Sequence, residues 1–145
     1  DSFEDKLKKY FEVMVHFYVA NSTLWQIICF EMLGGTNGCR VEPDGDNFKV
    51  IPRYNSVKVS EETSERILRY HKILHDEYDI LAQLITKAMQ DNLLKEDTVP
   101  EITTKFVFFG VAMSIFNQSD DIAADMTDEE AARIITDHFL RGNAR

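Results

Sequence analysis

Cysteine is scarce in this 145-residue sequence, where Cys29 and Cys39 are the only two. Two are too few to staple a chain of this length, so a disulfide framework is excluded. Cys29 falls in an apolar helical run and reads as a small core residue; Cys39 falls in a loop. Long apolar runs are missing too. No stretch reaches the eighteen or so residues needed to span a bilayer, and nothing resembles a signal peptide. The expectation is a cytoplasmic protein without a membrane partner. Positive charge is also short, with 16 Lys and Arg against 25 Asp and Glu for a net charge of -9. The densest basic groups, Lys6-Leu7-Lys8-Lys9 and the scattered Arg66, Arg69 and Lys72, sit among acids. Neutralising phosphates needs clustered cations, so this polypeptide by itself is not expected to hold DNA.

Catalytic signatures are equally sparse. Neither Gly-x-Ser-x-Gly nor a phosphate-binding glycine loop occurs. A di-iron helical bundle needs Glu three residues before an inward His. The four histidines have Val13, Leu68, Lys72 and Ile135 there instead. Asp44-Gly45-Asp46-Asn47 lacks the alternating ligands and closing Glu of a calcium loop and reads as a turn. His71 and His75 lie four apart, with Asp79 one turn further, a spacing at which side chains share a helix face and could grip a divalent ion. Without a fixed third ligand that signal is weak, and Lys72, Asp76 and Glu77 make the same stretch a solvated polar face. The sequence therefore predicts no catalysis, no cofactor and no metal.

What the chain does contain is helical periodicity, interrupted once. Leu7, Tyr10, Phe11, Met14, Phe17 and Tyr18 recur at three-and-four spacing and predict an amphipathic helix over 3–20, with Val13 and Val15 widening its apolar face. Thr23 and Gln26 offer a capping box for a short, almost wholly apolar helix that reaches Leu33 and stops at Gly34-Gly35. Such a helix must be buried. Residues 34–60 differ in kind: Cys39–Glu42 and Phe48–Ile51 flank Pro43-Asp44-Gly45-Asp46-Asn47, which is hairpin chemistry. A two-stranded arm of this size cannot be stable alone. Ser60 then caps the longest element, with Glu61, Glu62 and Glu65 at its positive end. Ile67, Tyr70, Leu74, Tyr78, Leu81, Ile85 and Ala88 form its stripe and carry the helix to about 94.

The C-terminal part holds two further helices. Thr98-Val99-Pro100-Glu101 reads as a capping box with proline in the first turn. It leads into Phe106–Phe116, eleven residues without a charge. A surface helix needs only one apolar stripe, whereas this one is apolar nearly all round and must be covered on two faces. Thr127-Asp128-Glu129-Glu130 is a second capping box, and Phe139-Leu140-Arg141-Gly142 carries basic and glycine stop signals. If one cover comes from the chain itself, a second copy supplies the other, which predicts a homodimer. Met14, Phe17, Trp25, Tyr70 and Tyr78 lie on helices whose apolar faces converge. They either fill the core or line a cavity, since tyrosine hydroxyls and the indole N–H are costly to bury unpaired.

Taken in order, Asp91-Asn92-Leu93-Leu94-Lys95-Glu96-Asp97-Thr98-Val99-Pro100-Glu101, Phe109-Gly110-Val111-Ala112, Thr127-Asp128-Glu129-Glu130-Ala131-Ala132-Arg133-Ile134-Ile135 and Phe139-Leu140-Arg141-Gly142 resemble the regulatory domain of TetR-type bacterial transcriptional repressors. The likeness extends more loosely over 3–33 and 61–96, about three quarters of the chain. It implies an all-α fold: an antiparallel bundle of about five helices with a small hairpin insertion at about 34–60, the whole of 1–145 forming one effector-binding and dimerisation domain. It also implies a small, largely apolar or aromatic effector held between the N-terminal helices and the long one. Met14, Phe17, Trp25, Ile28, Tyr70, Leu74, Tyr78 and Leu81 are the candidate lining. Helices 98–118 and 127–141 would pair with their copies through Phe108, Val111, Ile115, Ile134, Ile135 and His138. DNA would be read only through the family's N-terminal helix-turn-helix head, about fifty residues that this sequence does not include. Beside that expectation stands a second one: a helical protein–protein interaction module with a solid interior.

Overall fold

A computed structural model describes residues 1–26, 39–52, 58–116 and 126–145, with the helical backbone alone at 115 and 116. The first element begins where its N-terminal chemistry dictates. Ser2 Oγ accepts from the Asp5 N–H at 3.1 Å while the Asp5 carboxylate accepts from the Ser2 N–H at 2.9 Å, a reciprocal box that answers two otherwise orphaned donors. Helix α1 (Phe3–Ala20) follows and buries Leu7, Phe11, Met14, Val15 and Tyr18 on one face. It stops at Asn21, whose N–H and side-chain amide both donate to the Phe17 carbonyl. Residues 22–26 are helical again and Trp25 is buried; the remainder of the short apolar helix predicted to Leu33 lies outside the described residues.

Strands β1 (Cys39–Asp44) and β2 (Asn47–Pro52) pair antiparallel, with Asp44 opposite Asn47 and Cys39 opposite Pro52. Only Gly45 and Asp46 remain for the turn. Gly45 takes φ +62°, the sign that the first central position of a type II′ hairpin turn requires and that glycine adopts without steric cost.

Helix α2 (Glu61–Gln90) starts with the Thr63 N–H donating to Ser60 Oγ at 3.1 Å. Its end falls short of the predicted 94, because Asn92 enters the left-handed region at φ 56°. The Leu93 N–H then donates back to the Ala88 carbonyl at 2.9 Å and the Asn92 N–H to the Met89 carbonyl at 3.0 Å. These two bonds make a Schellman motif with asparagine where glycine is usual. Helix α3 (Pro100–Phe116) has its first intrahelical bond from the Thr103 N–H to the Val99 carbonyl. The N-cap is therefore Val99, not the Thr98 expected from the capping-box pattern, and proline occupies the first helical position, where its missing N–H costs nothing. Helix α4 (Asp128–Asn143) opens on the predicted box, with Thr127 Oγ1 and the Glu130 carboxylate exchanging bonds at 3.2 and 3.0 Å. It continues through Gly142 to Asn143, two residues past the expected end at 141.

The chain divides into two compact units, 23–77 and the remainder, 1–22 with 78–145. In the latter, α1 packs chiefly on α4 and runs antiparallel to it, with Phe3 edge-on to Phe139 at 6.3 Å and His16 joined to Asp128 at 2.7 Å. Leu7, Phe11, Tyr18, Leu81, Ile85, Leu94, Phe108 and Ala112 are sealed from solvent there. Two buried hydroxyls, Thr104 and Thr136, donate to carbonyls one turn back at 2.6 and 2.8 Å, so neither is left unpaired. The chain end closes the unit: Leu94 and Ala144 form an isolated antiparallel bridge, with the Lys95 N–H on the Asn143 carbonyl at 2.8 Å and the Arg145 N–H on the Leu93 carbonyl at 3.1 Å. The described chain is thus mostly helical with a small two-stranded sheet, and none of its described helices is long and apolar enough to cross a membrane.

Candidate functional site: an apolar groove between α3 and α4

Helix α3 contains the uncharged run, and the described residues cover only one side of it. Thr104, Phe108 and Ala112, spaced four apart, are buried at 0–1% exposure. Ile102, Phe106 and Phe109 remain 54%, 78% and 40% exposed. Beside that ridge, α3 and α4 diverge enough to leave a groove of about 530 Å³. Its α3 wall is Phe106, Val107, Gly110, Val111 and Ser114; its α4 wall is Ala131, Ile134, Ile135, His138, Phe139 and Asn143, with Val15 and Met126 completing it.

The polar side chains in this groove turn hydrogens back on their own helices. Ser114 Oγ donates to the Gly110 carbonyl at 2.7 Å, and the Asn143 amide donates to the Phe139 carbonyl at 2.9 Å. His138 Nδ1 lies 2.9 Å from the Ile134 carbonyl. A carbonyl only accepts, so the proton of the neutral imidazole sits on Nδ1. What the walls present outward is mainly hydrocarbon. An exposed apolar concavity of this kind marks an interaction or binding surface.

Of the predicted seam residues, Val111, Ile134, Ile135 and His138 come together in this groove. Phe108 does not. It is 1% exposed and packs edge-on against Tyr78 at 5.6 Å and Phe109 at 5.4 Å, inside its own chain. The side chain of Ile115 lies outside the described residues. Phe106, Val107, Gly110 and Ser114 also line the groove, and all four lie in the uncharged run, where no period marks them out.

The predicted effector residues are distributed differently. Met14, Phe17, Tyr78 and Leu81 belong to one unit, Trp25, Tyr70 and Leu74 to the other, and Ile28 lies outside the described residues. Met14, Trp25 and Leu81 are 3%, 2% and 0% exposed, while Phe17, Tyr70, Leu74 and Tyr78 are half-buried. Phe17 packs edge-on against Tyr18 at 5.6 Å. Tyr78 borders a shallow cleft with Pro100, Glu101, Thr104 and Lys105. Burial, and then the Glu101 and Asp79 carboxylates, push its phenol above the ordinary value.

A second cluster lies in the 23–77 unit. Phe48 of β2 packs against the rings of His71 and His75 at 4.5 and 5.0 Å, and the two imidazoles are 5.9 Å apart. Burial, and then the charge of His75, hold His71 below the ordinary histidine value. Its Nε2 is buried with no hydrogen-bond partner. Among the described residues, no three His, Cys, Asp or Glu side chains converge as a metal cage. No family model, no curated protein and no solved structure matches this chain.

Proposed function

We propose that this chain is the effector-sensing and dimerisation body of a TetR-type transcriptional repressor, built to pair with a second copy through α3 and α4. The observation that carries the pairing is the hydrocarbon-walled groove beside the exposed Ile102, Phe106 and Phe109 ridge. The net charge of -9 fits a body that leaves DNA contact to a separate basic head. The order and spacing of the C-terminal motifs supply the rest of the reading. In such a body an effector acts by linkage: it shifts the spacing of two heads only through its different affinities for two arrangements of the dimer.

Light scattering on a size-exclusion column tests the pairing. At micromolar concentration the expected mass is twice 16.8 kDa, and a monodisperse single chain would remove the proposal. A second reading, an interaction module with a solid interior, is favoured by the near-complete burial of Met14, Trp25 and Leu81. Native mass spectrometry separates the two. A small molecule carried through purification supports the sensor, whereas a bare dimer that takes up no apolar or aromatic ligand from a panel supports the module.

A further inference from the structure

We propose that Phe48, lodged against His71 and His75, is a proton-released latch that holds the β1–β2 hairpin on α2 while the His71 imidazole is neutral. The inference stands apart from the dimer and from the identity of any effector. It starts from the marginal stability of a two-stranded ribbon, which needs something to lie on. In this protein the two histidines are part of what it lies on.

The register shows which side of the ribbon meets them. Cross-strand partners share a face and successive residues alternate. Phe48 therefore shares a face with Pro43, and with Val50, Val41, Pro52 and Cys39 further along the ladder. Arg40, Glu42, Asp44 and Lys49 occupy the opposite face, where Arg40 pairs with Glu42 at 2.7 Å and Lys49 with Asp44 at 3.5 Å. Among the paired residues the face that carries Phe48 holds no carboxylate and the Cys39 thiol is its one titratable group, with the Asp46 carboxylate in the turn. Along α2, Lys72 and Asp79 stand one turn to either side of His75, with Lys72 paired to Asp76 at 3.1 Å.

This setting suits a neutral His71 and rejects a charged one. A protonated His71 would carry an N–H at the buried Nε2, where no acceptor waits. Two imidazoliums with ring centres 5.9 Å apart would also repel. Attraction of one cation to the Phe48 ring serves a single imidazolium and leaves that N–H unanswered. Proton uptake is relieved by separating Phe48 from α2. The sign follows from burial first, and then the charge of His75, which hold His71 below 6.5; the Phe48 ring is part of what buries it. Above 6.5 the docked and released states are both neutral and the latch is at full strength. As pH falls below 6.5 the released state takes up a proton first and docking weakens, until the docked state protonates as well.

Hydrogen exchange of residues 39–52, read by mass spectrometry between pH 7.5 and 5.0 and corrected for intrinsic amide chemistry, tests the latch. Exchange is expected to quicken below 6.5 by up to about tenfold per pH unit, the slope of one-proton uptake, while the histidine-free stretch 81–90 of α2 stays unchanged. His71→Leu removes the proton site and should flatten the hairpin's response. A flat wild-type profile, or an undiminished slope in His71→Leu, overturns the proposal. Should that variant fail to fold, the wild-type imidazole is titrated by NMR beside Phe48→Ala. Loss of Phe48 should raise the His71 midpoint, and an unmoved midpoint refutes the latch.

Discussion

Gly110→Leu separates folding from pairing, because its expected effects on the two have opposite signs. Gly110 sits inside α3 on the groove wall, and a Cβ built there meets nothing within 4 Å. In the lone chain the substitution replaces the poorest non-proline helix former by one of the best, a gain of about 0.8–1 kcal/mol. With open space at the Cβ and the groove beside it to take the branches, the melting temperature of the single chain should rise by about 2–4 °C at this size. If a second copy seats on the groove, each protomer now pushes a branched side chain into a contact shaped around a glycine. Overpacking costs about 1–3 kcal/mol per site, and twofold symmetry doubles it to about 2–6 kcal/mol. The dimer dissociation constant should weaken by about thirtyfold to 10⁴-fold. Sedimentation equilibrium over a dilution series measures that constant, and thermal unfolding below it measures the single chain. Gly110→Ala should fall between wild type and leucine. A dissociation constant that stays within about threefold of wild type would refute the placement of Gly110 in the seam.

Two other substitutions test the local logic of the fold. Asn92→Val forces a β-branched residue into the left-handed cap of α2 and should cost about 1–2 kcal/mol, whereas Asn92→Gly should be neutral or slightly stabilising. Chemical denaturation of both variants decides this, and equal losses would mean that the cap conformation is not under strain. Thr127→Ala removes half of the reciprocal box at α4 and should cost about 1 kcal/mol, with the Glu130 N–H gaining fast exchange; an unaltered midpoint would count against the box.

Much of the fold was legible because its helix starts are written in local chemistry. α1 and α4 open where their reciprocal side chains allow, and both carry a one-sided stripe. The misjudged ends show what local pattern cannot supply. Leu93 and Leu94 continue the apolar stripe of α2, so periodicity runs past the asparagine that reverses the chain. Gly142 offers a stop, but its carbonyl is taken by Lys95 Nζ at 2.7 Å, a bond from 47 residues away that no local rule announces. The site divides the same way. On α4 the polar and apolar faces differ, and Ile134, Ile135 and His138 line one groove. On α3 nearly every side chain is apolar, so the sequence has no period with which to tell the inner Phe108 from the outer Phe106. The contact of Phe48 with His71 joins a hairpin to a helix across a sequence gap, and spacing rules have nothing to say about it.

The bridge between Leu94 and Ala144 fastens the trailing end of α4 beside the turn that follows α2, and the Arg145 to Glu96 ion pair at 2.6 Å reinforces it. Two helix ends riveted in this way cannot slide past each other there, so the tail of α4 keeps its register with the turn that closes α2.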